Sequence, residues 1–230
     1  LALTAGQYSA DGLTQIDTSA KASLLNDVLD SHALAAVDTR AELDALATIV
    51  AGMFTTAANG SATPALSAAD FASIGLAGVT SQNLSDVLAA ISSSANDGSA
   101  IDTFAELSSL VANAVSTADT KYAAIDVIAA YTGSVNAPTT STFTNAQVTG
   151  VTSGNLATIN TAFAALTSTA SDTQAEVQAT VDAYLAVLAA ADGTRNNNGA
   201  LTAAQFTALG LTQIDQSNEL ALMAYALDLA

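Results

Sequence analysis

The chain lacks most of the side chains on which common catalytic and metal sites depend. Its 230 residues include no cysteine, no tryptophan and a single histidine, His32. Without cysteine there is no disulfide, thiolate nucleophile or zinc–thiolate cluster. One histidine cannot supply a histidine-rich metal site, and we expect that the usual nucleophile triads are not assembled around His32. We therefore expect a protein that is not an enzyme.

Positive charge is also scarce. Four basic residues stand against 21 acidic ones, which gives a formal net charge of -17. Binding to nucleic acid requires clustered Lys and Arg to neutralise phosphates. The four basic residues are scattered singly, at Lys21, Arg40, Lys121 and Arg195. We expect no nucleic-acid partner.

Large apolar side chains and long apolar runs are few. Hydrophobic residues make up 50% of the chain but aromatic residues only 5%, and alanine is the commonest residue, which predicts a thin core of small side chains. The best apolar run, residues 181–191, is about half the length that a bilayer requires. The first residues show no basic segment followed by an apolar signal run. We expect no membrane span, and a chain that is a mature or excised piece.

A short sequence block recurs along the chain. In each copy a Ser or Thr is followed three residues later by Gln or Asp and then by an apolar residue. This spacing is typical of the capping box, in which the two side chains satisfy free backbone N–H groups at a helix start. The pattern predicts a short helix at each of four blocks, which lie at residues 3–8, 66–71, 143–148 and 201–206.

Glycine is expected to end three of these helices, at Gly12, Gly75 and Gly210, because glycine adopts the left-handed conformation after a helix with the least strain. The segments that follow Gly12 and Gly210 are alike: residues 12–17 and 210–215 are identical over six residues. In the third copy we expect residues 140–148 to be extended or irregular.

Two further helices follow the short one. The second is clearest in the second copy, where apolar residues at 84, 87, 88 and 91 have helical spacing. The third helix opens on another capping box, at residues 38–42, 102–106 and 172–176. Three of the four glutamates of the chain, Glu42, Glu106 and Glu176, occupy the same place in that box. We interpret them as helix-start residues, which leaves only Glu219 for another role.

Together these patterns predict an all-α fold of tandem repeats of about 65 residues, each a short helix, a helix and a long helix, stacked in an elongated array. The expected boundaries are 1–62, 63–136, 137–200 and an incomplete repeat at 201–230. Small repeats bury little surface alone, so an incomplete repeat should expose an apolar face. We expect self-association, head to tail, through the unlike ends of the chain.

One segment offers a candidate metal site. Residues 192–199 are the most polar of the chain, and Asp192, Asn196 and Asn198 have oxygen atoms of the kind that calcium prefers. The segment departs from the EF-hand pattern, whose glycine is replaced by Asn197. Two interpretations stay open, a turn-rich linker and a weak calcium site. No other cofactor is expected, and His32, at helical spacing from Val28, is interpreted as a partly buried structural residue.

The order of these segments resembles a known class of proteins. The Leu-Thr-Ala-Ala-x-Phe block at 201–206, the Gly-Leu-Thr-x-Ile-Asp segment at 210–215 and the Ile-Asp-Thr-x-Ala-Glu-Leu start at 101–107 are similar to alpha-helical repeats of very large bacterial surface proteins of the adhesin type. The resemblance covers essentially the whole chain and brings no catalytic residues. It implies an extracellular structural module, part of an adhesin stalk, surface layer or self-assembling fibre. The alternative is a module that binds carbohydrate, peptide or ions in grooves between repeats, its ligand unknown.

Overall fold

A computed structural model describes residues 2–94, 98–191 and 201–227. Within these ranges the regular structure is helical and contains no strand, which confirms the predicted all-α class. The chain forms two compact units, residues 1–119 and 120–230.

The helices alternate between short and long. The first unit contains α1 (Ala5–Ala10), α2 (Ser19–Ser31), α3 (Arg40–Asn59), α4 (Ala68–Ser73), α5 (Leu84–Ser92) and most of α6 (Phe104–Ala129). The second unit contains the rest of α6 with α7 (Thr140–Asn145), α8 (Leu156–Ala164), α9 (Gln174–Ala190), α10 (Ala203–Ala208) and α11 (Ser217–Leu227). Single turns of 3₁₀ helix, Leu34–Ala36 and Ser168–Ala170, precede α3 and α9.

Four helices of six residues share one start and one end. At the start of α1 the Thr4 backbone N–H donates to Gln7 Oε1 at 2.9 Å, and the Gln7 N–H donates back to the Thr4 hydroxyl. At the end the Leu13 N–H donates to the Tyr8 carbonyl at 2.9 Å, across the left-handed Gly12, which is the Schellman arrangement. The same end bond, also 2.9 Å, joins Leu76 to Phe71, Val148 to Phe143 and Leu211 to Phe206.

Each short helix buries one aromatic side chain. These side chains are at most 1% exposed, and they are Tyr8, Phe71, Phe143 and Phe206. A helix of six residues is too short to be stable in water by itself. The buried ring therefore holds each short helix in place, while the capping bonds satisfy its backbone ends.

The third short helix starts earlier than the block at 143–148 predicts, because its capping residue is Thr139 and not Thr144, five residues later. Residues 140–145 are helical and not extended as expected. Helix α7 begins after Thr139, whose backbone N–H donates to the Thr142 hydroxyl at 3.0 Å. Its end is the left-handed Gln147, with φ 59°. The sequence pattern required Gln or Asp at the third position of the helix and glycine at its left-handed end. It therefore missed α7, which has Thr142 at the third position and Gln147 at the left-handed end.

The glutamates are helix-start residues, as predicted. Thr39, Thr103 and Thr173 each donate a backbone N–H to the glutamate three residues later, at 3.0, 3.2 and 3.1 Å. Glu219, which the sequence left open for another role, has the same place in α11, where it accepts the Gln216 N–H at 3.1 Å. All four glutamates thus serve helix starts.

We expect Thr39→Ala to lower the free energy of unfolding by about 1 kcal/mol, because it removes the hydroxyl that caps α3. Glu42→Gln should change it clearly less, because the amide oxygen can accept the same N–H. Urea unfolding of the two variants measures the difference. If Glu42→Gln were as destabilising as Thr39→Ala, the helix-start role would be wrong.

Acid should weaken these helix starts. Hydrogen bonds from Thr39, Thr103 and Thr173 lower the pKa of Glu42, Glu106 and Glu176 below its usual value. Their stabilisation is therefore present above the unfolded pKa of about 4.3 and is lost as pH falls through the lowered value.

Asp172 has the opposite sign, because its hydrogen bond with Glu176 raises the pKa of the Asp172 carboxyl. Its contribution is complete below the unfolded pKa and is lost as pH rises through the raised value.

We expect the urea midpoint of the whole chain to fall as pH drops from about 6 to about 3. Glu42→Gln and Glu106→Gln should each reduce that fall, and an unchanged pH dependence in both variants would contradict the assignment.

Helix α3 is the central helix of the first core. Leu46, Val50 and Met53 of α3 lie in one buried cluster with Leu13, Leu24 and Leu25. By length and composition alone α3 could also cross a membrane. The burial of one side of α3 is what the core helix of a folded unit requires. The absence of a membrane span stays a prediction.

Candidate docking surface

Helix α3 begins against the turn that follows α1. The Arg40 guanidinium, at the first position of α3, donates to the Asp11 carbonyl. One turn further along, the Gln15 Nε2 donates to the Asp44 Oδ1 at 3.0 Å. Between these two contacts Leu13 is completely buried. The start of a long helix thus covers the left-handed turn at the end of a short helix.

The other long helices begin in the same way. The Gln174 Nε2, at the first position of α9, donates to the carbonyl of the left-handed Gln147 at 3.1 Å. In α6 the first residue is Phe104, and a Cβ atom added to the left-handed Gly75 would lie 3.7 Å from its ring. Three long helices therefore each set their first side chain against the left-handed turn after a short helix.

The fourth left-handed turn has a different environment. It lies at Gly210, with φ 80°, and the five residues that follow are those that follow Gly12. Leu13 is 0% exposed, whereas its counterpart Leu211 is 47% exposed. A Cβ atom added to Gly210 would lie 3.1 Å from the Leu166 side chain, so the turn itself is contacted in both units. The contrast is at the leucine that follows the turn, which is covered in the first unit and half-exposed in the second.

Helix α11 extends this open region. Leu24 of α2 is 0% exposed, but its counterpart Leu222 is 67% exposed. Tyr225, three residues on and on the same side of α11, is 60% exposed. We call Leu211, Leu222 and Tyr225 together the open face. Leu222 and Tyr225 are neighbours on α11, and neighbouring large apolar side chains in water are typical of an interaction surface.

The other side of α11 holds it to its own unit. Leu220, Met223 and Leu227 pack against the buried cluster of Ala190, Leu201 and Phe206, and the Thr180 hydroxyl of α9 donates to the Ala208 carbonyl at 3.0 Å. The side of α11 that carries Leu222 and Tyr225 therefore belongs to a helix whose other side packs on the second unit. The sequence predicts an apolar face in residues 201–230, but only the burial of side chains on α11 identifies which of them form it.

The predicted calcium ligands Asp192, Asn196 and Asn198 lie outside the described residues. Within the ranges that the structure describes, no group of three or more His, Asp and Glu side chains could hold a metal ion. The calcium site stays a prediction.

His32 has the structural setting that the sequence predicted. It is half-buried at the end of α2, where its Nδ1 lies 2.7 Å from the Val28 carbonyl oxygen and its Nε2 lies 2.9 Å from the Ser73 carbonyl oxygen. Both ring nitrogens are thus occupied by backbone groups, and the ring joins α2 to the end of α4.

Comparison with models of protein families, with curated proteins and with solved structures gives no match. The features of the chain that bear on its function are the recurring capped helices, the strongly acidic composition and the open face.

Proposed function

We propose that the chain is a structural extracellular repeat module of a bacterial surface protein, serving as a component of an adhesin stalk, a surface layer or a self-assembling fibre. The module consists of repeats of about 65 residues, each a short helix, a helix and a long helix, and it associates with further copies head to tail.

Recurrence of one construction supports the repeat organisation. The capped start, the left-handed end and the buried ring occur in four short helices, and the first residue of a long helix lies against the turn in three cases. A construction made only of capping bonds and apolar packing positions no reactive group. It suits a protein that extends or assembles.

The contrast between Leu13 and Leu211 is the observation that carries the proposal of self-association. The first-unit counterpart of the open face is covered, so a contact between the open face of one copy and the first unit of another would join unlike surfaces. A contact between unlike surfaces is heterologous, and it propagates into a filament unless its rotation closes a ring. Such a contact supports head-to-tail growth, whereas pairing of two open faces would give a closed dimer.

Charge should control the assembly. A net charge of -17 repels a second copy, and salt shortens the range of this repulsion from about 30 Å at 0.01 M to about 3 Å at 1 M. We expect light scattering to show a mass that rises with protein concentration and rises further as salt is added. Calcium and magnesium should act alike if they only screen charge, whereas a specific calcium site would make calcium the stronger of the two.

Two outcomes would contradict this proposal. One is a protein that remains monomeric at high concentration with added salt and calcium. The other is an assembly that is unchanged when residues 201–230 are deleted, or when Leu222 is replaced by Asp in the otherwise intact chain.

The alternative function, a ligand-binding module, has one observation in its favour. A shallow depression of the first unit is lined by amide, carboxylate and hydroxyl groups of Gln15, Asp44, Thr48 and Thr55, which are the groups that hydrogen-bond sugars and peptides. A binding module should stay monomeric until its ligand is added. The light-scattering experiment therefore separates the two functions.

A further inference from the structure

We propose that the open face receives an amphipathic helix with the sequence pattern of α3. That pattern begins with a Thr cap that is hydrogen-bonded to a Glu at the third position of the helix. Polar side chains stand at the first and fifth positions of the helix, and an apolar stripe runs along one side. The proposal rests on the repeat organisation proposed above and names the kind of helix that covers the open face. The stripe of α3 is buried in its own unit, so the covering helix is one of the same pattern whose stripe is unpaired.

The apolar part of the argument comes from the first unit. There Leu13 and Leu24 are buried in one cluster with Leu46 and Val50 of α3. Their counterparts Leu211 and Leu222 have the same side chain and the same place in the local sequence, and they face water. Because α3 packs on α2, a helix with the stripe of α3 matches the side of α11 that carries Leu222. The counterpart of Tyr225 is Asp27, which accepts the N–H of Phe104 at the start of α6 at 2.9 Å.

Polar contacts specify how such a helix would lie. In the first unit the fifth residue of the long helix, Asp44, accepts from the Gln15 side chain at 3.0 Å. In the second unit the fifth residue of α9, Gln178, accepts the Thr149 N–H at 2.9 Å. Two long helices therefore use their fifth residue to hold the segment just after the left-handed turn.

The open face offers matching groups. Gln213, the counterpart of Gln15, is exposed, and the carbonyl of Leu209 is the counterpart of the Asp11 carbonyl that accepts from Arg40. A helix that begins with a side-chain donor and carries an acceptor at its fifth position can make both bonds. Leu166 lies against Gly210 where Arg40 lies against Gly12, so the first side chain of the helix must reach the Leu209 carbonyl beside Leu166. A flat sugar or a lipid surface would leave this spacing unused.

A peptide of residues 37–60 of this chain, labelled with a fluorophore, is a direct probe. We expect its fluorescence anisotropy to rise saturably as the intact chain is added. The peptide carries three acidic side chains and one arginine, so it is repelled by the acidic chain, and binding should strengthen with salt. A peptide of the same composition with its apolar stripe scrambled should not bind.

Matched variants locate the contact. Leu222→Asp should weaken the peptide's binding at least about tenfold, because it places a charge where the stripe must pack. Val135→Asp makes the same change at a side chain that is 71% exposed elsewhere in the second unit, and it should leave binding unchanged. Both positions face water in the free chain, so neither change removes a buried contact, and circular dichroism checks that both variants fold.

The proposal is overturned if the peptide shows no saturable binding, if Leu222→Asp binds it as well as the unaltered chain, or if backbone NMR shifts on binding fall in residues 3–31 and not in residues 209–227. Its failure is separable from that of the proposed function. A chain that assembles but does not bind the peptide would contradict only the proposal that the covering helix has the pattern of α3. A monomeric chain that binds the peptide would contradict only self-association.

Discussion

Replacement of Phe143 by alanine is expected to lower the free energy of unfolding by about 3–5 kcal/mol, the range for removing a large aromatic side chain from a packed core. Phe143 is completely buried in α7, and its ring centroid lies 5.6 Å from that of Phe163 in α8. The loss combines the transfer of the ring to water with the cavity it leaves.

Urea unfolding followed by near-ultraviolet circular dichroism measures this change, since Tyr122, Tyr131 and Tyr184 pack against the same cluster. Phe143→Leu should cost clearly less, because it fills much of the volume. Val135→Ala, at an exposed side chain, should stay within about 0.5 kcal/mol. A Phe143→Ala variant that loses less than about 1 kcal/mol would show that the short helix is not held by its ring.

Two leucines in identical six-residue sequences should respond differently to the same substitution. Leu13→Ala should cost about 2–5 kcal/mol, because Leu13 is fully buried beneath α3. Leu211→Ala should cost less than about 1 kcal/mol, because half of its side chain is already in water. Local sequence and helix propensity are the same at both sites, so the difference reports only what covers each side chain.

Thermal or urea unfolding of the two variants, at a concentration too low for assembly, gives the comparison. The measurement needs probes of each unit, since a chain with two compact units need not unfold in a single step. Equal losses for the two substitutions would contradict the description of the open face. When assembly is measured at high concentration, we expect Leu211→Ala to be the more damaging change, although it is the milder one for folding.

Local signals in this sequence predict local structure well. The three capping boxes at residues 38–42, 102–106 and 172–176 are read directly from Thr and Glu spacing, because capping depends only on neighbouring atoms. The failure at α7 has the same origin: the hydroxyl of Thr142 accepts a backbone N–H as Gln does elsewhere, and Gln147 adopts the left-handed conformation that glycine usually takes. A pattern based on residue identity misses such chemical substitutes.

Burial could not be read in the same way. Residues 12–17 and 210–215 are identical, so nothing in those residues distinguishes a covered leucine from an exposed one. The difference depends on α3, which begins with a contact to Asp11 from 29 residues away. The candidate surface could therefore be predicted as a region, and its members Leu222 and Tyr225 became clear only from the packing of α11.

The absence of cysteine allows a direct measurement of the central claim, that the open face carries the association. Leu222→Cys and Leu24→Cys each place one thiol in an otherwise thiol-free chain, and a maleimide reports its accessibility. In dilute solution at low salt we expect rapid labelling of Leu222→Cys and almost none of Leu24→Cys. At high concentration and high salt, labelling of Leu222→Cys should slow in proportion to the assembled fraction. If the assembled protein labelled at Leu222→Cys as rapidly as the monomer, association would use another surface and the account would be wrong.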